Sequence, residues 1–421
     1  MSVEPAPTPG QAATDAVPDV QQTSCCVVGG GPGGAFLALL LARRGVPVML
    51  LEAHRDFDRE FRGDTVHPST LEILDEIGLA DRLHQLRHTK VYGPTIQAAD
   101  GPFSPVDLRR LKTRFPYIML MHQPILLQFL TEEAKKYPHF RLLMGANVQR
   151  LVEEQGVVRG VRYLGADGWH EVRAMLTVGA DGRFSMVRHL AGFEPIKTSP
   201  PMDVLWFRLP RLPEDPEVPG GAFGGLGRGH LLAVLDRHDY WQAAYIIPKG
   251  HYQEIRAAGL DALRRNIVEI EPRLARHVEH LRDWHQFSLL SVESSRCPRW
   301  YKPGLLLIGD AAHVMSPVGG VGINYAIQDA VVAANVLASP LKAGQVRLSD
   351  LAEVQRQREW PTRVIQAIQS FLQKRVVANV LRSQATIRIP RFIRFLSRVL
   401  ILRDLPARLI AFGVWRVHVE K

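Results

Sequence analysis

The glycine-rich stretch from Gly29 to Gly34 constrains the fold of this 421-residue chain more than any other feature. It reads Gly-Gly-Gly-Pro-Gly-Gly and fits G-x-G-x-x-G, with Gly29, Gly31 and Gly34 at the three required places. An apolar run precedes it, a stretch with helical periodicity follows it, and a second apolar run ends at Glu52. This order predicts a strand, a tight turn, a helix and a second strand, as in a parallel α/β sheet.

Each glycine of the turn has its own physical reason. Gly29 allows the tight turn, Gly31 lets the backbone approach a pyrophosphate, and Gly34 lets the helix pack on the strand. The phosphates would then meet the free N–H groups and the positive dipole of the helix N-terminus. Glu52 ends the second strand and can accept hydrogen bonds from ribose hydroxyls. The stretch therefore predicts a dinucleotide site in a Rossmann-type domain.

A second motif far downstream decides which dinucleotide is expected. Residues 305–308 form an apolar run that leads into Gly309, Asp310, Ala311, Ala312 and His313. Pro317 then begins a loop with glycines at 319, 320 and 322, and a helix is predicted from about 321 to 337. Glycines let backbone lie close to a flat ligand, and the helix N-terminus can face negative charge that develops on it.

The segment with the pattern G-D-A-A-H…P…G-x-G-x-N resembles the para-hydroxybenzoate hydroxylase family, the class A flavoprotein monooxygenases. The resemblance implies FAD as the cofactor. It implies that Asp310 binds the ribitol chain, and that Gly322, Ile323 and Asn324 lie against the isoalloxazine. Pro317 would flank the face of the ring where oxygen reacts.

Three further positions are similar to cofactor contacts in that family. Residues 181–188 match the element D-G-x-x-S-x-x-R, which begins at Asp181 and serves FAD and the nicotinamide donor in relatives. Arg62 would reach a flavin phosphate or the edge of the ring, and Gln123 would reach the pyrophosphate. No second G-x-G-x-x-G is present, so the resemblance implies no separate nicotinamide domain.

The resemblance also implies an activity. NADH or NADPH would reduce the flavin, and molecular oxygen would form a flavin hydroperoxide that hydroxylates a small aromatic substrate such as a phenol, a quinone precursor or a polyketide. Two alternatives stay open: a FAD-dependent reductase of a prenyl chain, and a non-catalytic flavin-binding interaction protein. Flavin halogenases share the fold but carry W-x-W-x-I-P, and residues 243–248 lack both tryptophans.

The predicted fold class is α/β, with a Rossmann-type FAD-binding domain, a β-sheet substrate domain and a C-terminal helical segment. Short alternating runs between 141 and 178 predict a small antiparallel hairpin layer. The expected divisions are a flexible tail over 1–22, a first FAD-binding part over 23–198 with substrate-domain elements near 80–120, a β-rich substrate domain over 199–290, a second FAD-binding part over 291–345, and a basic helical segment over 346–421.

Aromatic side chains in the β-rich segment are the candidates for a dry substrate pocket. We expect Trp206, Tyr240 and Tyr245 to contact the substrate, while neighbouring aromatic residues fill the core. The sequence names no catalytic base, because His67, His122 and His313 are each better explained as structural or solvent-facing. Three cysteines, Cys25, Cys26 and Cys297, cannot form a disulfide framework, and no metal site is predicted.

The net charge of +10 is concentrated near the end of the chain. From Leu341 onward there are 16 Lys and Arg against 5 Asp and Glu, and no nucleic-acid motif accompanies them. Residues 388–416 predict an amphipathic basic helix interrupted by Pro390 and Pro406, which either caps the fold or contacts an anionic membrane. The sequence predicts a cytoplasmic protein, with peripheral membrane contact as a possibility.

Overall fold

The largest sheet has eight strands and forms the centre of the fold. The computed structural model describes residues 20–58, 64–98, 101–218, 220–227, 229–382 and 404–420. Along the sheet, the hydrogen-bonded order is β19 (Tyr301–Lys302), β20 (Leu305–Leu307), β11 (Gly168–Gly179), β1 (Val20–Val28), β2 (Val48–Glu52) and β8 (Phe140–Met144), with β10 (Val157–Gly165) and β9 (Asn147–Glu154) continuing from β11.

The four strands β20, β11, β1 and β2 pair in parallel, as does β8 on β2. The residues of β2 and β20 and the second halves of β1 and β11 are apolar and buried almost throughout, because helices cover this part of the sheet. The helices α1 (Pro32–Arg43), α4 (Gln123–Lys135) and α8 (Gly322–Lys342) bury their apolar residues in one core with the sheet. In α1, every residue from Gly33 to Ala42 is buried. This core fixes the position of both glycine-rich motifs.

The antiparallel strands β9 and β10 extend the sheet from β11, as the alternating runs predict. The expected hairpin layer is continuous with the parallel sheet. Strand β11 is 12 residues long, and it pairs with β10 at one edge while its other pairings, to β1 and β20, belong to the parallel sheet. A single long strand can therefore serve both layers, which the short runs of the sequence do not reveal.

The second sheet has seven strands and carries the β-rich segment. Its order is β17 (Ser288–Ser291), β13 (Met202–Pro210), β16 (Tyr240–Pro248), β15 (His230–Asp236), β14 (Gly221–Gly227), β5 (Gly93–Ala98) and β6 (Gly101–Phe103). Residues 93–103 thus join this sheet from an early part of the chain. Helices α6 (Tyr252–Ala258) and α7 (Leu260–Ile270) belong to the cluster that covers one of its faces.

Two three-stranded sheets connect the large ones. The first has the order β3 (Thr65–Val66), β7 (Ile118–Leu120) and β4 (Thr89–Val91), and the second has the order β12 (Ile196–Thr198), β18 (Ser294–Arg296) and β21 (His313–Val314). The short helices α2 (Pro68–Glu76), α3 (Ala80–His84) and α5 (Met186–Leu190) follow β3, α2 and β11 respectively. Sheet β3-β7-β4 brings the start of α4 close to the second glycine-rich loop.

The C-terminal part is helical over most of its described length. Helix α9 (Leu348–Leu372) passes through a π-helical stretch, Gln373–Val377, into α10 (Ala378–Arg382), and α11 (Leu405–Phe412) follows later. Helicity to the end of the chain was expected and is wrong, because Gly413, with φ +74°, ends α11 and residues 413–420 are not helical. Arg62, most of the expected N-terminal tail and the basic stretch 388–403 lie outside the described residues.

No helix in the described part of the chain combines the length and the apolar character that crossing a membrane requires. The three cysteines are buried, and burial raises the pKa of each thiol.

Candidate flavin and substrate site

The first glycine turn combines close packing on two sides with open space on a third. A Cβ on Gly34 would lie 2.0 Å from the carbonyl oxygen of Gly29, and a Cβ on Gly29 would lie 2.4 Å from that of Ala180. A Cβ on Gly31 would meet no atom within 4 Å. No side chain caps the N-terminus of α1. The turn is therefore packed tightly beneath and open above, where helix N–H groups can receive an anion.

Glu52 lies beside this turn at the end of β2 and is 2% exposed. Its Oε2 accepts a hydrogen bond from the backbone N–H of Gly30 at 2.8 Å, and its Oε1 accepts one from the N–H of His54 at 3.0 Å. The carboxylate thus holds the glycine turn in place against the next strand. Its contact with a ribose hydroxyl remains a prediction.

Asp181 is held within its own motif. Its carboxylate accepts hydrogen bonds from the Ser185 hydroxyl and from the backbone N–H of Val187, at 2.9 Å for the latter. Burial raises the pKa of Asp181, and these hydrogen bonds act in the opposite direction. Arg188 of the same motif donates to the carbonyl of Ala311 at 3.1 Å, beside Asp310. The D-G-x-x-S-x-x-R element therefore joins the two glycine-rich motifs, and a direct contact of Asp181 with FAD remains a prediction.

A buried ionic cluster supports the turn that carries Asp310. Asp329 of α8 accepts hydrogen bonds from Arg358 Nε at 2.7 Å and from the backbone N–H of Gly309 at 2.9 Å, and its Oδ2 lies 2.6 Å from Nε2 of His313. All three side chains are at most 1% exposed. Burial by itself would raise the pKa of Asp329, but His313 and Arg358 outweigh it and hold that pKa below its ordinary value.

The second glycine-rich loop is fixed by contacts with the region around β3. The Thr65 hydroxyl donates to the carbonyl of Gly320 at 3.0 Å. Asn324, at the start of α8, accepts hydrogen bonds from the backbone N–H of His67 at 3.0 Å and from the Thr70 hydroxyl at 2.7 Å. No side chain caps the N-terminus of α8, which leaves its first N–H groups available to a ligand.

His67 connects this loop to the C-terminal part of the chain. The side chain is fully buried, and its Nδ1 lies 2.7 Å from the carbonyl oxygen of Ile410 in α11. Burial lowers the pKa of His67 to about 4, although contacts with backbone carbonyls oppose the shift. A neutral imidazole that donates from Nδ1 is the form this geometry favours. His67 is thus a structural residue between the loop and α11.

The two faces of the seven-stranded sheet have different surroundings. Trp206 packs in a cluster with Ala244 and Ile246, and Val318 of the second glycine-rich loop packs against the same cluster. Tyr240 lies on this face as well, since it alternates with Trp241 along β16. We call this side the cleft face.

Tyr245 lies on the other face. It is fully buried in the cluster formed with Leu205, Leu263 and Ile267 beneath α7, and its ring stacks on His230. The expectation that Tyr245 contacts the substrate is therefore corrected, because strand alternation turns it away from the cleft face. Trp206 and Tyr240 stay as proposed substrate residues.

Gln123 begins α4 and is 6% exposed. Its backbone N–H donates to Asp64 Oδ1 at 3.2 Å, and Asp64 also pairs with Arg237. Asp64 adjoins the stretch that contains Arg62, so the predicted Arg62 contact cannot be placed among the described residues. The structure brings Gln123 to the side of the site that carries β3 and β7.

Sequence reasoning missed four functional or supporting residues: Asp329, Arg358, Asp64 and Arg237. Asp329 could have been found, because a lone carboxylate inside the apolar run of α8 must find a buried partner. The other three belong to contacts between segments far apart in the chain, and no local pattern indicates them.

The site fits FAD on features of the fold alone. The open space at Gly31, above an uncapped helix, suits a pyrophosphate. The uncapped start of α8 beside Asn324, whose Nδ2 is buried without a partner in the described part of the chain, suits a flat ring with hydrogen-bonding edges. Asp310 lies in the turn after β20, next to Gly309, whose backbone N–H donates to Asp329 of α8. Three separated segments thus converge on one elongated cofactor site.

Comparison with known proteins supports the same conclusion. The family profile described as an FAD binding domain matches residues 22–367. The 6-methylpretetramide 4-monooxygenase of Streptomyces rimosus is 35% identical over 405 residues, which cover 96% of this chain and 95% of that protein.

Two solved structures share the fold. The anhydrotetracycline hydroxylase OxyS of Streptomyces rimosus has a TM-score of 0.73 and 24% identity, covering 93% of this chain and 76% of that one. The probable FAD-dependent monooxygenase pqsL of Pseudomonas aeruginosa has a TM-score of 0.73 and 21% identity, covering 86% and 100%.

The chain belongs to the FAD-binding family of class A flavoprotein monooxygenases. It is an FAD-dependent hydroxylase that uses NAD(P)H and molecular oxygen, and the α/β fold class and the cofactor expected from the sequence are confirmed. Among its relatives, the 6-methylpretetramide 4-monooxygenase matches along almost the full length of both chains.

Proposed function

We propose that this protein hydroxylates a fused-ring aromatic polyketide of the kind that its relative's name specifies, 6-methylpretetramide. The observation that carries the proposal is the match of 35% identity over 96% of the chain, which includes the seven-stranded sheet and the C-terminal part as well as the cofactor motifs. Similarity confined to the cofactor motifs would support only the use of FAD. Similarity across the sheet supports a related substrate.

The cleft face offers the surface that a flat apolar ring system needs. Ala233 and Ala244 are small, and they lie beside Trp206 and Leu231 on neighbouring strands. Small residues next to an aromatic side chain leave room for a planar ligand to stack. Val318 brings the second glycine-rich loop to the same cluster, so a ring bound there would lie next to the proposed isoalloxazine position.

FAD, when bound, would supply the redox chemistry, with electrons from NAD(P)H and the transferred oxygen atom from O2. The chain's own residues supply position and exclusion of water. Thr65, Asn324 and His67 fix the second glycine-rich loop, and the buried cluster around Asp329 fixes the turn at Asp310. The apolar cleft face removes water from the substrate ring, which limits unproductive loss of the activated oxygen. Pro317 stays the proposed neighbour of the oxygen-reactive face.

The proposal is tested with purified holoenzyme, NADPH or NADH, and 6-methylpretetramide. We expect oxygen uptake that depends on the substrate and a product that is heavier by one oxygen atom. Para-nitrophenol, the substrate that another relative's name specifies, serves as a small single-ring comparison. Hydroxylation of para-nitrophenol but not of 6-methylpretetramide would contradict the polyketide assignment. A reduced product without added oxygen would contradict hydroxylation and favour a reductase.

Contact with an anionic membrane is a separate proposal. It rests on the positive charge of the C-terminal part, which contains 16 Lys and Arg but only 5 Asp and Glu from Leu341 onward. We expect the full chain to pellet with liposomes that contain anionic lipid, and a chain ending near Ala385 to pellet less. Equal pelleting of both proteins would contradict the proposal and favour a helical cap on a cytoplasmic enzyme.

A further inference from the structure

A cavity of about 470 Å³ lies at the end of the β15–β16 hairpin. It is bounded by the connection from α3 to β4, by the end of β7 and by the hairpin turn, and we call it the hairpin-end cavity. Its lining includes Arg87, Leu120, His122, Arg237, His238 and Asp239. Its volume is within the range of small-molecule sites, and most of these side chains are basic or polar.

Arg237, in the wall of this cavity, is a buried charged residue that is only partly paired. Its side chain is 2% exposed, and its NH2 group lies 3.2 Å from Oδ2 of Asp64. Its NH1 group is buried and has no hydrogen-bond partner in the part of the chain that the structure describes. Leaving a donor of a charged group buried and unpaired is costly, so a ligand that supplies an acceptor would bind with a corresponding gain.

The hairpin-end cavity adjoins both parts of the proposed active site. Leu120 of its wall pairs with Thr65, and the Thr65 hydroxyl donates to Gly320 in the second glycine-rich loop. His122 Nε2 lies 3.3 Å from the hydroxyl of Tyr240, a residue of the cleft face. A ligand that extends from the cleft face toward this hairpin would therefore reach the cavity.

The charges around the cavity favour a negative ligand atom. Burial lowers the pKa of His122, and the positive charges of Arg237, Arg208 and Arg87 lower it further while Asp64 opposes them. Burial raises the pKa of Asp64 despite the nearby arginines. Arg208 also lies over the ring of Tyr240, at 5.1 Å from its centroid. His122 is thus neutral near pH 7. Arg87 is paired with Asp239 and Arg237 with Asp64, so these three arginines and two aspartates leave an excess of one positive charge here.

We propose that Arg237 is a specificity-determining residue that donates from its NH1 group to an ionised phenol or enol oxygen of the substrate, with Asp64 as the positioning residue that holds the guanidinium. The inference rests on the proposed function, in that the ligand is the aromatic substrate. The buried NH1 group has no partner in the described part of the chain, while NH2 lies beside Asp64. Phenol and enol oxygens of the proposed substrate class are acceptors of the kind that NH1 lacks.

The test uses alizarin, a fused-ring phenol whose visible spectrum changes on ionisation, as a binding probe for the holoenzyme. Difference spectra are recorded at a pH where free alizarin is mostly neutral. We expect the native protein to bind the anion, and Arg237→Met to bind alizarin about tenfold or more weakly and in the neutral form. Arg237→Lys should restore part of the anion signal, because it restores the charge.

Two further variants separate recognition from folding. Arg237→Met leaves Asp64 buried without its partner, so the double variant Asp64→Asn with Arg237→Met removes both charges and should fold with bound FAD while still failing to bind the anion. Arg256→Met, at an exposed arginine of α6, is the matched control and should bind like the native protein. Retained FAD content and thermal midpoint show that each variant is folded.

Several outcomes would overturn the inference. They are failure of the native protein to bind alizarin, an identical ionisation state of bound alizarin in Arg237→Met, and a weaker affinity for NADPH without any change for alizarin. The last would assign the cavity to the nicotinamide donor. Substrate-dependent oxygen uptake by the native protein tests the proposed function independently, so the two can fail separately.

Discussion

A comparison of Gly31→Ala with Gly34→Ala tests the assignment of the first glycine turn most directly. The two residues lie three positions apart in one motif, but their surroundings differ. The added Cβ at position 34 would lie 2.0 Å from the Gly29 carbonyl oxygen and 3.2 Å from the Ala180 side chain. An ordinary contact is about 3.5 Å, so the start of α1 would have to move by more than about 1 Å. Gly33 to Ala42 are all buried, which resists that movement.

We expect Gly34→Ala to lower the free energy of unfolding by at least about 3 kcal/mol, because overpacking of backbone against backbone cannot be relieved by a rotamer change. Gly31 has φ −69° and ψ 178°, which any residue adopts, and open space at its Cβ position. Gly31→Ala should therefore change the free energy of unfolding of the apoprotein by less than about 1 kcal/mol.

The order of effects should reverse for the cofactor. A methyl group at position 31 would occupy the space into which the pyrophosphate fits, and should weaken FAD binding by about 2–3 kcal/mol, a factor of about 30 to 150. Urea denaturation of the apoproteins measures the stability, and fluorescence titration with FAD measures the affinity. Native FAD affinity in Gly31→Ala would refute the placement of the phosphate, and native stability in Gly34→Ala would refute the packing.

Three other predictions follow from the buried groups and the two sheet faces. Asp329→Asn leaves Arg358 and His313 buried without a counter-charge. The free energy of unfolding, measured in urea, should therefore fall by about 3–5 kcal/mol. A loss below about 1 kcal/mol would contradict the stabilising role of the buried ionic cluster. The pKa of His67 is lowered to about 4, so the folded state disfavours the protonated imidazole. The contribution of His67 to the free energy of unfolding is complete above about pH 6.5 and should decline by about 3 kcal/mol as the pH falls to 4. Urea titrations at each pH should show this decline in the native protein but not in His67→Gln. Trp206→Ala should raise KM for the polyketide about tenfold in oxygen-uptake assays, whereas Tyr245→Phe should leave it unchanged, and the opposite result would restore Tyr245 as a substrate residue.

Much of the fold could be predicted because the relevant signals are local. The turn from Gly29 to Gly34, the strand that ends at Glu52 and the loop at 317–324 each combine glycine placement with apolar periodicity over a short stretch. Helix α8 begins at Gly322, one residue from the expected start, and a helix follows the first glycine turn as expected. Local sequence also indicated β9 and β10, since alternation has a period of two.

The parts that could not be predicted depend on long-range pairing. The alternation of β16 shows that Tyr240 and Tyr245 face opposite sides, but not which side is covered by α7 and which faces Val318. The partner of Asp64 is Arg237, far along the chain, and no local pattern joins them. The last turn of α11 contacts His67 through a backbone carbonyl, which any residue type could supply.

The sequence by itself determined a dinucleotide site, because binding a pyrophosphate requires glycines and a helix start at fixed spacings within a short segment. The resemblance of residues 309–324 to the para-hydroxybenzoate hydroxylase family then implied that the dinucleotide is FAD. Only the tertiary structure decided which face of the second sheet meets the flavin loop, and that the buried NH1 group of Arg237 has no partner among the described residues. Motifs record constraints between neighbours in the chain. Burial and charge pairing arise between residues that become neighbours only when the sheets and helices pack.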